Sequence, residues 1–204
     1  MKGLLIFSKY TIWFSIFGIP VLYFALQYVW LLFANTLWTT PYQLFFDLSL
    51  LSVFFVMMIR PLADIFHKQK ILKKLIILRK PLGILSVMII VTIMVSNWIL
   101  NPDLAFFNYF SADKWRIGYP IIARISEITA IILLATSNNY SIKKLGWKNW
   151  KRVQKLAYPY FFAWAIIAAR WNHTEIVYAM IAAVIIAWVA AEVLKMQRKK
   201  KPVT

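Results

Sequence analysis

The sequence predicts an all-α polytopic membrane protein: a bundle of six transmembrane helices in one membrane domain, with both termini cytoplasmic. Three observations lead there. Of the 204 residues, 62% are hydrophobic and the mean hydropathy is +0.67, whereas soluble domains are about 45–50% apolar. The apolar residues gather into six runs, each near the roughly 20 residues that a membrane helix needs. The 24 Lys and Arg, against 7 Asp and Glu, fall in bands between those runs.

The first span is predicted over residues 10–34, which carry no charge, with only Lys2 and Lys9 before it. That apolar run exceeds the about 7–15 residues of a signal-peptide core, so it reads as a span. Pro20 should kink it. A neutral link, Asn35 to Pro41, leads to a second span at 42–60 with Asp47 as its one internal charge. The basic segment after that span contains an amphipathic piece, Ile71 to Ile76, suited to lying on the membrane. The third span, 81–100, is uncharged. The loop 101–116 sets Asp103 and Asp113 against Lys114 and Arg116 and includes an aromatic run, Phe106 to Phe110, of interfacial character. The fourth span, 117–137, carries Arg124 and Glu127. The fifth, 153–171, has Pro159 near its start. The sixth, 174–194, ends in a basic cytoplasmic tail, 195–204.

Orientation comes from the basic residues in the gaps. The N-terminal segment, the 60–80 segment, the 143–155 segment and the tail together hold 20 Lys and Arg; the alternate side and the fourth span hold 4. A multi-pass protein of the cytoplasmic (inner) membrane is expected, its basic segments meeting anionic lipid. The banding argues against nucleic acid as the partner of the +17 charge. With no cysteine there is no disulfide, Fe–S cluster or thiolate nucleophile, and no Gly-rich phosphate loop or zinc-ligand spacing occurs. The longest gap is about 20 residues, too short to bury a core of its own, so a nicotinamide or flavin domain would belong to another chain.

The segment from Ala135 to Tyr158 is the most informative. Thr136 to Ser141 reads as a helix exit and turn. The residues after Ser141 read as an interfacial helix, with Trp147, Trp150 and Val153 on one face and Lys148, Lys151, Arg152 and Lys155 on the other. In its residue order this segment resembles the ferric-reductase-like transmembrane family, and most of all the haem-b membrane subunits that serve periplasmic methionine sulfoxide reductases. Arg60-Pro61-Leu62 and Arg79-Lys80-Pro81-Leu82-Gly83 extend the resemblance, which covers roughly residues 20–170. It implies a six-helix bundle carrying electrons from cytoplasmic flavin or quinol to an acceptor, such as an extracytoplasmic oxidoreductase.

The resemblance also implies haem ligands, and the sequence departs from it there. The family's ligand positions correspond here to Ile93, Gln154 and Ile167, and the third and fifth spans contain no histidine. Bis-histidine haem b requires an imidazole on each side of the ring. His67 and His173 lie at opposite membrane faces, about 30 Å apart, and cannot share an iron. Met88, Met94 and Met180 read as packing residues; Tyr158 and Tyr160 are phenolate candidates. The expectation is no haem, no metal and no assigned catalytic residue. If the family's geometry is kept, histidines at 93 and at 154 or 167 would face one cavity. The leading functional expectation is a haem-less membrane subunit or scaffold of a redox system. The alternatives are transmembrane electron transfer with quinone or flavin between the helices, and a small-molecule or proton transporter built on a buried polar cluster of Gln27, Asp47, Arg124 and Glu127. Redox activity, if present, would be that of an electron-transfer subunit rather than of a self-contained catalyst.

Overall fold

The computed structural model describes residues 2–32, 41–100, 119–171 and 174–200, and among them every regular element is helical. Helix α1 (Lys2–Trp13) runs through a π-helical turn, Phe14–Gly18, into α2 (Ile19–Leu32). Helix α3 spans Pro41–Ile65, and a short α4 (Lys70–Leu75) passes through a 3-10 turn, Ile76–Leu78, into α5 (Arg79–Leu100). Helix α6 (Tyr119–Ala135) is followed by α7 (Asn139–Val153), a 3-10 turn at Gln154–Leu156, α8 (Ala157–Trp171) and α9 (Thr174–Lys200). The aromatic loop 101–116 and the link at Asn35 lie outside the described residues, as does His173.

Four segments, Gly3–Leu32, Pro41–Ile65, Lys70–Ser96 and Glu175–Arg198, are long and apolar enough to cross a membrane. Helices α6 and α8, with 17 and 15 residues, fall short of that length on their own.

Several boundaries differ from the sequence expectation, each for a local reason. Helix begins at Lys2 rather than near residue 10, because two isolated lysines do not stop a helix of good formers. The Pro20 distortion takes the form of the π turn one residue upstream: Pro20 has no N–H, and the ladder shifts so that Ile19 N–H bonds Phe14 O. Gly18 makes this fit, since a Cβ there would meet the Phe14 ring at 2.5 Å. Helix α3 continues through Arg60 and Pro61 to Ile65. The basic tail is no separate segment as far as Lys200, for α9 runs that far; Lys and Arg are helix formers and suit a helix C-terminus.

The helices alternate in direction. Helix α3 packs on α5, α8 and α9; α6 packs on α5 and α8; α1 and α2 pack on α5 at the edge of the bundle, and α2 also touches α3. Contacts near the ends fix the sense. Helix α1 touches the Ile76–Leu78 turn, and Arg198 of α9 reaches the Asp64 and Ile65 carbonyls at the end of α3. One end of the bundle thus gathers the start of α1, the end of α3, α4, the start of α5, α7, the start of α8 and the end of α9. Nearly all the described basic residues lie there, which makes it the basic end of the bundle.

Two apolar clusters fill the interior. The larger joins α3, α5, α6, α8 and α9, with Phe46, Ile90, Tyr160, Phe161 and Trp164 among its residues. The smaller joins α2, α3 and α5 through Ile19, Tyr23, Phe45, Ile89 and Ile93. Large apolar side chains also cover the outside, among them Tyr10, Val21 and Ile186, a surface that lipid rather than water would match.

Candidate functional site

Around the α6–α8 connection the backbone is closed by its own side chains. Asn138 caps α7, its Oδ1 accepting from Ser141 N–H at 2.7 Å, while Ser141 Oγ and Asn138 Nδ2 donate to Ala135 O. The turn is therefore Thr136 to Asn138, and α7 starts at Asn139, not after Ser141; an asparagine N-cap ends the turn early. Gly146 has φ +73 and ψ 150, a conformation open essentially to glycine alone, and it splits α7 into two pieces.

In the second piece, Trp147 and Trp150 stack with centroids 5.0 Å apart. Lys151 lies over Trp147, Nζ to centroid 4.8 Å. This corrects the two-face expectation: four residues apart is the same helix face, so Lys151 sits with the tryptophans. Lys148 and Arg152 are exposed, as is Trp147, whereas Trp150 turns inward and donates Nε1–H to Thr136 O at 2.8 Å. Gln154 Nε2 donates to Thr136 Oγ1 at 3.1 Å. One threonine at the end of α6 thus receives both residues.

The three ligand positions of the family therefore have separate surroundings. Gln154 is committed to Thr136. Ile93 is 5% exposed and belongs to the smaller cluster; Ile167 is 3% exposed and belongs to the larger. No imidazole stands at any of them and two are buried in clusters of aliphatic and aromatic side chains, so these residues do not fit haem. Met94 and Met180 pack against the larger cluster, and the Tyr160 hydroxyl is hydrogen-bonded to Ser86. His67 is exposed in the turn after α3, and the described residues contain no group of three His, Cys, Asp or Glu placed to hold a metal.

Among the charged positions, Arg124 Nη1 donates to Glu127 Oε2 at 2.5 Å, with side chains 15% and 20% exposed. Gln27 and Asp47 are half-buried on α2 and α3, which touch each other and both pack on α5. Helix α6 carries its own polar stripe, with Ser126 and Thr129 buried beside the ion pair.

The structure adds polar groups that sequence reading passes over. At the crossing of α3 and α5, Ser49 Oγ and Ser86 Oγ lie 2.9 Å apart, and Ser86 Oγ is 3.0 Å from Tyr160 OH on α8. All three are essentially fully buried. Small residues allow close helix approach, and their hydroxyls bond across it. The available signal was a serine in each of two apolar runs, without a cue to their pairing. Trp164, its ring tilted 36° against Phe46 with centroids 4.4 Å apart, has a buried Nε1–H without a hydrogen-bond partner among the described residues.

No protein-family model, curated protein or solved structure matches this chain. What fold and site define is a class: an all-helical protein with apolar helices compatible with a membrane.

Proposed function

We propose that the chain is a six-span protein of the cytoplasmic membrane with both termini in the cytoplasm, and that it serves as a haem-less membrane subunit or scaffold of a redox system. The topology reading is supported by the collection of basic residues at one end of helices that alternate in direction, as positive-inside insertion requires. The Gln154–Leu156 turn runs directly into α8 and lengthens that segment. The haem-less reading is carried by one observation: the positions at which the ferric-reductase-like family holds haem are Ile93, Gln154 and Ile167, two packed in apolar clusters and one bonded to Thr136. A membrane subunit of this kind supplies packing surfaces and an interfacial helix, and leaves redox chemistry to a partner chain.

Optical spectroscopy tests it. Protein expressed with excess haem and reduced with dithionite should lack a sharp b-type α-band; a stoichiometric band would overturn the reading. Reporter fusions test the topology separately. Fusions after Lys80, Lys155 and Thr204 should report cytoplasm and one at Asp103 the opposite side.

A second reading, a quinone or other small molecule between the helices, draws on the unpartnered Trp164 Nε1–H. Quinone-dependent quenching of tryptophan fluorescence that is lost in Trp164→Phe would favour it.

A further inference from the structure

At the basic end, the last turns of α3 carry an arrangement that neither packing nor a haem-less scaffold requires. Arg79, at the start of α5, donates Nε–H to Val56 O at 3.2 Å. Pro61, inside α3, removes the N–H that would bond the neighbouring Met57 carbonyl. With its Nε edge fixed, the half-buried Arg79 guanidinium keeps both terminal amines for another acceptor. Arg60 lies four residues beyond Val56, on the same face of α3 one turn nearer its end, so the carbonyl that holds Arg79 brings the two guanidiniums to one side of the helix; Arg79 also feels the charges of Asp64 and Tyr158. Arg60 is held only loosely to Asp64, at 4.0 Å. Arg198 comes from α9 and donates Nη1–H to Asp64 O at 3.0 Å and Nη2–H to Ile65 O at 3.3 Å. Three arginines from three helices thus gather at the last turns of α3, Arg79 and Arg198 on its backbone carbonyls and Arg60 beside Asp64, with the exposed Lys80 adjoining. Like charges brought together in this way repel unless an anion sits among them.

The surroundings choose the anion. Phe66, Ile71, Ile76 and Tyr158 are exposed apolar or aromatic side chains of the turn after α3, of α4 and its 3-10 extension, and of the start of α8. A free inorganic anion makes no use of them, whereas a headgroup phosphate whose acyl chains run down an apolar helix surface does. Guanidiniums match phosphate by bidentate hydrogen bonding. We propose that the basic end of α3 is a specific site for the phosphate of an anionic phospholipid, clamped by Arg60 and Arg79, with Tyr158 at its edge. The site ties α3, α5 and α8 together through the lipid. It rests on the membrane reading and not on the haem-less one.

The test uses the full chain purified in mild detergent. Phosphatidylglycerol and phosphatidylcholine are titrated in turn, and bound lipid is counted by native mass spectrometry. The wild type should retain phosphatidylglycerol preferentially. Arg60→Gln should lower its retention more than tenfold, the effect of losing the ~1.5–3 kcal/mol of a hydrogen bond to a charged group. Arg79→Gln should do the same or more. Arg60 is exposed and its ion pair is loose, so Arg60→Gln keeps the test valid if Arg79→Gln fails to fold. Lys143→Gln, on α7, is the control: it removes one charge from the general basic surface and should lower retention by no more than about fivefold, ~1 kcal/mol. Equal retention of both lipids, full retention by Arg60→Gln, or an equal loss in the α7 control would overturn the site. Displacement of lipid by equimolar inorganic phosphate would also overturn it, in favour of a free-anion site. Correct reporter-fusion topology alongside such a failure would leave the membrane reading standing.

Discussion

Removing Arg124 should cost far more than removing its partner, although the two form one ion pair. Helix α6 begins at Tyr119, so Arg124 lies about 7.5 Å and Glu127 about 12 Å along it at ~1.5 Å per residue. The helix is about 25 Å long, which puts Glu127 near its middle. In Arg124→Leu the carboxylate is stranded there, and its side chain is too short to reach either end. On the six-span reading proposed above this is a charge at mid-membrane, which costs about 2.5–3.5 kcal/mol on insertion scales, and the loss should be of that size. In Glu127→Gln, Arg124 can extend its long side chain toward the nearer end, so the cost should fall at the low end of the about 1.5–3 kcal/mol of a hydrogen bond to a charged group. Arg124→Leu/Glu127→Leu removes both members of the pair and should recover much of the loss. Reversible unfolding in mixed micelles, followed by circular dichroism, measures all three. The reasoning fails if Arg124→Leu is as stable as the wild type, if the double variant is no better than the single, or if Glu127→Gln is the worse of the two single variants.

Other consequences can be measured in the same way. Ser86→Leu forces a larger side chain into the α3–α5 crossing and should cost about 1–3 kcal/mol, while Tyr160→Phe should cost only about 0.6 kcal/mol, the mean for such hydrogen bonds in a membrane protein; the opposite order in unfolding assays would deny the crossing its close approach. Gly146→Ala imposes backbone strain of about 1–3 kcal/mol with nothing near the new methyl, and should appear as faster amide exchange across residues 139–153; unchanged exchange would contradict it. Ile93→His with Ile167→His puts imidazoles in two different clusters and should gain no haem absorption; a new Soret band would show that the positions share a cavity.

The apolar runs are legible in the sequence because hydropathy is a property of composition and needs no knowledge of neighbours. The same holds for the amphipathic segment at Ile71. Helix ends are less legible. Charge alone would end α3 at Arg60 and α9 at Lys195, but charge limits where a membrane ends, and both helices continue beyond it. Pairing across helices is not legible. Nothing local tells Ser49 to meet Ser86, 37 residues away, or Arg79 to take a carbonyl of α3. The face of Lys151 is readable from its spacing of four from Trp147; sorting the helix by charge puts it on the wrong side.

The double attachment at Thr136 bears on how the chain is assembled. Trp150 and Gln154 lie only 14 and 18 residues beyond the threonine they bind. Closing so short a loop is entropically cheap and grows costlier only slowly with length, and Asn138 and Ser141 already hold the turn. During synthesis the α6–α8 hairpin can therefore lock its own connection as soon as Gln154 has left the ribosome, before α9 exists to pack on α3 and α8. On the six-span reading proposed above, two helices that are short when taken singly would then enter the bilayer as one prefabricated unit, with the tryptophan-bearing crossbar setting its depth.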